Sequence, residues 1–185
     1  MPRRIALDGL LLPKTAHLEP KHGEKDMSSD PKREMLRHTL ATLAYRAAKV
    51  LREMPPECAG FCPGEGCRTP LEILTHINDL LDWALSIAEG HQQWNDSAPS
   101  AWDSETDRFF RGLKRFDDCL ASEQPLHASV EKLFQGPVAD ALTHVGQIAI
   151  LRRMARGPIR AENYYVAGIK AGSVSADQPP PKREF

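Results

Sequence analysis

The chain has 185 residues, 41% of them hydrophobic, enough for one substantial core but short for two full domains with tails. Its 24 Lys and Arg nearly balance 25 Asp and Glu, and the pI lies near 6.7, so composition offers no basic face for a nucleic-acid partner. No apolar stretch approaches the ~20 residues of a membrane-spanning helix, and four cysteines, three crowded into one loop, do not make a disulfide scaffold. A small-molecule partner and a reducing, cytoplasmic setting are therefore expected, without membrane or nucleic acid.

Residues 1–27 mix prolines, glycines and charges without periodicity, and an N-terminal extension over 1–29 is expected to be poorly ordered. Met1–Pro13 starts basic, but Asp8 interrupts its apolar run and no small-residue cleavage pattern follows, so it does not read as a signal peptide. Met27, just before a strong helix start, is an alternative first residue. The first predicted helix opens at Asp30-Pro31, an N-cap followed by proline at the first helical position. Leu36, Leu40, Leu43, Ala47, Val50 and Met54 then recur at spacings of three and four until Pro55-Pro56 stops the helix. Ala41, Ala44 and Ala48 allow close approach of a neighbour, and His38 lies off the stripe.

The loop from Pro55 to Arg68 holds Cys58, Cys62 and Cys67, whose spacing fits no standard zinc motif. Free thiols are expected there. Cys67, beside Arg68 and ahead of a helix N-terminus, is the one most inclined to ionise. Thr69-Pro70-Leu71-Glu72 is a capping box and starts the second helix, which runs to Gly90 with an apolar face of Ile73, Ile77, Leu80, Leu81, Ala84 and Ile87. His76 lies at the edge of that face, where a histidine is ordinarily a satisfied core residue.

A polar linker carrying Trp94, Pro99 and Trp102 follows, long enough to cross an end of the molecule. Ser104 to Asp107 is expected to cap a third helix, in which Phe109, Leu113, Phe116 and Leu120 repeat as core filling. Leu126 to Gln135 can form a short extra helix ending at Gly136.

The fourth helix is bounded by Pro137 and Gly157. Asp140, His144, Gln147 and Leu151 share one stripe, so three polar groups occupy the face usually given to apolar residues. A carboxylate and an imidazole one turn apart project in parallel, as two ligands of one metal ion do in a helix. The competing reading is a non-catalytic helical bundle in which Asp140, His144 and Gln147 form a buried polar network fixing helix register. Beyond Gly157, Asn163, Tyr164, Tyr165, Val166 and Ile169 are expected to fold back over one end, and 173–185 to form an extended, disordered tail.

The run from Asp140 to Ile148 resembles the last core helix of the DinB/YfiT-like superfamily, whose pattern there is HxxxHxGQ. Ala161-Glu-Asn-Tyr-Tyr165 resembles the segment that follows it, and Thr69 to Trp83 resembles the family's second helix, with His76 at the first ligand position. The resemblance spans roughly 31 to 172. It implies an all-α, four-helix bundle over 30–172 with long crossover loops, and a divalent metal (zinc, nickel, iron or manganese) on His76, Asp140 and His144. Asp140 stands where the family has histidine, giving a two-histidine, one-carboxylate set with open coordination positions. Gln147 becomes the candidate catalytic residue, supporting His144 or touching substrate. The implied activity is metal-dependent thiol transfer, with a low-molecular-weight thiol as cosubstrate, or hydrolysis of a small molecule; a homodimer is the assembly considered. Measured from the prolines that open each helix, His76 lies six residues in, and Asp140 and His144 three and seven. Matching depths predict that the second and fourth helices run parallel, with the site toward their N-termini near the cysteine loop.

Overall fold

The computed structural model describes residues 30–185; the expectations for the N-terminal extension and its start fall on residues outside that range. The described chain is almost entirely helical: α1 (Pro31–Leu51), α2 (Pro56–Ala59), α3 (Pro70–Ala88), α4 (Trp102–Ala121), α5 (Val130–Leu133), a π-helical turn (Phe134–Val138), α6 (Ala139–Met154) and a 3₁₀ turn (Tyr164–Val166). Extended pairing among the described residues is limited to one isolated bridge between Glu162 and Glu184. None of the helices is long and apolar enough to cross a membrane.

Local chemistry accounts for the starts of α1 and α3. The Asp30 carboxylate accepts from the backbone N–H of Lys32 at 2.9 Å, and Thr69 and Glu72 cap each other's backbone in both directions. α4 departs from expectation by starting at Trp102, two residues before Ser104, with no side-chain cap on Ala101. Tertiary contacts anchor it instead: the buried Glu105 accepts from Ser100 N at 3.2 Å and from Asn78 Nδ2 at 2.8 Å.

At its other end α1 finishes at Leu51, short of Met54, and its free carbonyls are met by a residue from far along the chain. The buried Arg152 guanidinium donates to the carbonyls of Val50, Arg52, Glu53 and Gly157 at 2.6 to 3.2 Å. Gly157 is required there by close approach, since a Cβ would stand 2.8 Å from Cys58 Sγ. The left-handed turn after α6 falls one residue earlier, on Arg156 at φ 62°.

Leu36, Leu40 and Leu43 of α1, Ile77 and Leu81 of α3, Phe109, Leu113 and Phe116 of α4, and Ile148 of α6 meet in one core. α3 packs on α4 and α6, and α1 packs on the same two helices from the other side. Side-chain pairs fix the directions. Lys32 pairs with Glu131 at one end and Arg152 reaches Val50 at the other, so α1 runs with α6. Arg37 pairs with Asp117 and Arg33 with the Ser122 carbonyl, so α4 opposes α1. Asn78 bonds Glu105 while Leu81 touches Gly112, so α3 runs with α4.

α3 and α6 are antiparallel, which corrects the expectation of parallel helices. His127 N donates to Ala88 O at 2.9 Å where α3 ends and the last helical stretch begins, whereas Arg68 and Ile73 share a cavity with Ile150 and Leu151. Pro137 does not begin a helix, so depths measured from it do not give the sense of the pair. Helical structure runs without a break from Val130 to Met154, and Pro137 sits inside its π-helical turn. A wider turn accommodates the proline ring and its missing N–H, where an α-turn would clash. Counted correctly, His76 is 12 residues before Ala88 and Asp140 is 10 after Val130, depths that match for an antiparallel pair.

Because α3 and α4 run the same way, the linker between them has to travel back along α3. Gln93 N bonds Ser86 Oγ, Ser97 N and Oγ bond the Asp79 carboxylate, and Ser100 N bonds Glu105. The chain beyond Gly157 folds back as expected in part: Tyr164 lies edge-on to Tyr45 under the Arg46 guanidinium, while Tyr165 is exposed. Residues 173–185 are extended but not detached, a correction to the disordered tail. Val174 is buried, Asn163 N bonds Arg183 O, Phe185 N bonds Ala161 O, and Glu184 pairs with Lys49. Backbone pairing and a half-buried cation partner hold a stretch whose composition alone reads as free chain.

Candidate metal centre

Two local devices position the three candidate side chains. The capping box sets the phase of α3, which puts His76 between the buried Ile73 and Ile77 stripe and solvent. The continuous helix through Pro137 sets the phase of α6, where Asp140 and His144 stand one turn apart. Antiparallel packing then brings the three side chains together. One ligand atom from each lies within 4.8 Å of the other two, and the His76 and His144 rings are 4.9 Å apart, edge to face. The imidazoles are largely sheltered while Asp140 is about half exposed, so the cluster opens to solvent on the carboxylate side.

The three groups are spaced more widely than a hydrogen-bonded network. His144 Nε2 is 3.4 Å from one Asp140 oxygen and His76 Nε2 is 3.9 Å from the other. Both exceed the spacing of about 2.7–3.2 Å of a good hydrogen bond. They suit donors on either side of one ion held by bonds of about 2 Å. The second nitrogen of His144 is committed elsewhere: Nδ1 lies 2.7 Å from Gln147 Oε1. The amide oxygen accepts the Nδ1 hydrogen, which leaves the Nε2 lone pair directed at the shared volume. Gln147 thus acts through His144, and its amide nitrogen remains available toward solvent.

Burial, the neighbouring His144 and then Arg68 push His76 below its ordinary value of 6.5, against the opposing pull of Asp140 and Asp79. A neutral imidazole is the form that coordinates metal. Trp94 closes one flank, edge-on to His76 at 5.7 Å and to Trp83 at 5.8 Å. The returning linker delivers it, and Asp79, itself held by Arg108 of α4, pins that linker through Ser97.

The cysteine loop differs from expectation. Cys62 and Cys67 form a disulfide, with Cα atoms 6.0 Å apart, so Cys67 is not a free thiolate. The loop between them includes Gly66 at φ 74°, a left-handed turn that returns the chain on itself. Cys58 and Cys119 are the free thiols, and Cys58 is buried.

No family model, curated protein or solved structure matches this chain. His76, Asp140, His144 and Gln147, all read from the sequence, converge on one site. Trp94, Asp79 and Arg68 were not read as site residues. An aromatic in a polar linker was the available signal for Trp94, but its target depends on the linker's path back along α3. Asp79 gave none, since a carboxylate on an amphipathic helix ordinarily faces solvent.

Proposed function

We propose that this chain is a four-helix bundle with long crossover loops, of the DinB/YfiT-like kind, that holds a divalent metal on His76, Asp140 and His144 and acts on a small molecule by thiol transfer or hydrolysis. One observation carries the reading: two imidazoles and a carboxylate face a shared volume at separations too long for hydrogen bonds among themselves. The donor set fits zinc, and equally iron(II), nickel or manganese, and three protein ligands leave positions open for water or substrate.

When bound, the metal would polarise a substrate carbonyl or lower the pKa of a bound water or thiol. The chain's own groups do the rest. Gln147 holds the tautomer of His144, Trp94 shields His76 from bulk water, and Asp79 keeps Trp94 in position by fixing the linker. Asp140, the most exposed of the three ligands, leaves the open side on which substrate would approach.

The test is metal content of untagged protein after incubation with zinc, nickel, manganese or iron(II). About one equivalent is expected for the intact chain. His76→Ala, Asp140→Ala and His144→Ala should each lose most of it, whereas His38→Ala and His127→Ala should retain it. Equal retention by all five variants would reject the assignment in favour of the structural polar network.

A further inference from the structure

A cavity of about 400 Å³ lies immediately beside the candidate metal centre, on the cysteine-loop side. His144 and Gln147 give it polar lining, Ile73, Ile150 and Leu151 give it apolar lining, and Arg68 is the one lining residue with a formal charge. Arg68 takes part in none of the ion pairs or side-chain hydrogen bonds among the described residues. By contrast, Arg37, Arg108 and Arg115 are all committed to carboxylates. The Cys62–Cys67 disulfide closes the loop directly before Arg68, and the Thr69 capping box begins directly after it. Its backbone is therefore tied down on both sides.

We propose that this cavity binds a small monoanionic carboxylic acid with an apolar body, the carboxylate on Arg68 and the body across Ile73, Ile150 and Leu151. A planar guanidinium matches a carboxylate with two parallel hydrogen bonds. One cation and three aliphatic walls suit a single negative charge on an apolar molecule; a phosphate dianion would call for more positive charge and more donors. Gln147 Oε1 is occupied by His144, so its amide nitrogen is the donor left for a second polar group on the ligand. That end of the molecule abuts His144. The inference rests on the metal-centre reading for what the held molecule faces, but the carboxylate contact is separable from metal binding.

The probes are phenylacetate and its uncharged isostere phenylacetamide, titrated calorimetrically into the full chain in metal-free and zinc-loaded forms, with zinc content measured on the same preparations. The acid should bind at least about tenfold more tightly than the amide, the scale of one charge-assisted pair. Arg68→Gln should abolish that preference with zinc content unchanged, and Arg68→Lys should restore only part of it. Equal binding of acid and amide, binding of neither, or a preference that survives Arg68→Gln would overturn the proposal. Failure to take up zinc with the acid preference intact would count against the metal centre alone. Arg68 is exposed, so its replacement should leave the circular dichroism spectrum unchanged.

Discussion

The two flanks of α3 carry polar clusters one turn apart and treat them in opposite ways. Toward α4, Asp79 accepts from Ser97 and Arg108 at 2.6 to 2.9 Å, Asp82 accepts from Arg108 and Arg115, and Asn78 bonds Glu105. Toward α6, His76, Asp140 and His144 approach one another without a hydrogen bond among them. Burial differs between the two, since Asp79 is almost fully buried and Asp140 is about half exposed. So does hydrogen bonding: the α4 flank is joined by protein partners, with Asn78 Oδ1 alone in that cluster left without one, and the α6 flank has no hydrogen bond among its three groups. The first cluster ties α3 to α4 and the linker, and the second is the one proposed above to hold a metal.

The largest expected effect falls on the α4 flank. Asp79→Ala removes a nearly buried carboxylate from Arg108 and frees Ser97, and should cost roughly 2–3 kcal/mol in urea denaturation of metal-free protein, somewhat below a fully buried pair because Arg108 keeps some solvent contact. Asp140→Ala in the same assay should change stability by less than about 0.5 kcal/mol. Comparable losses for the two would mean that both flanks are structural networks.

The next effect is on affinity. Gln147→Ala should weaken zinc binding by about tenfold, by releasing the tautomer and ring orientation of His144, with little change in the stability of the metal-free protein. A chelator-competition titration reads this directly, and an unaltered affinity would remove Gln147 from the site.

The smallest effect is a pH dependence. His76 is held below its ordinary 6.5 by burial first and by His144 next. The unfolded chain therefore takes up this proton at a higher pH than the folded one. Metal-free protein should keep the full contribution above pH 6.5 and lose it as pH falls toward the lower, folded value. His76→Gln should flatten that part of the stability profile, and an unchanged slope between pH 7 and pH 5 would show that His76 is not the group responsible.

What the chain encodes locally was legible without a structure, because each signal is complete within four or five residues. Asp30-Pro31 and Thr69 to Glu72 satisfy the free N–H groups of the helices they start, and apolar spacing identified the core faces of α1, α3 and α4. The same periodicity put Asp140, His144 and Gln147 on one stripe and His76 on the edge of another. Direction and encounter were decided by packing over long sequence separations. Pro137 reads locally as a helix start, yet Val130 to Met154 forms one continuous helical stretch that reverses the expected sense of α6 against α3. Trp94 reaches His76 only because α3 and α4 run the same way and the linker has to return along α3. The terminal residues look unstructured by composition, but the partners that fix them, Lys49 and the backbone of 161–163, lie twenty or more residues away in sequence. A helix cap is satisfied by its own neighbours; a ligand cluster, a returning linker and a docked tail exist only where distant segments satisfy one another.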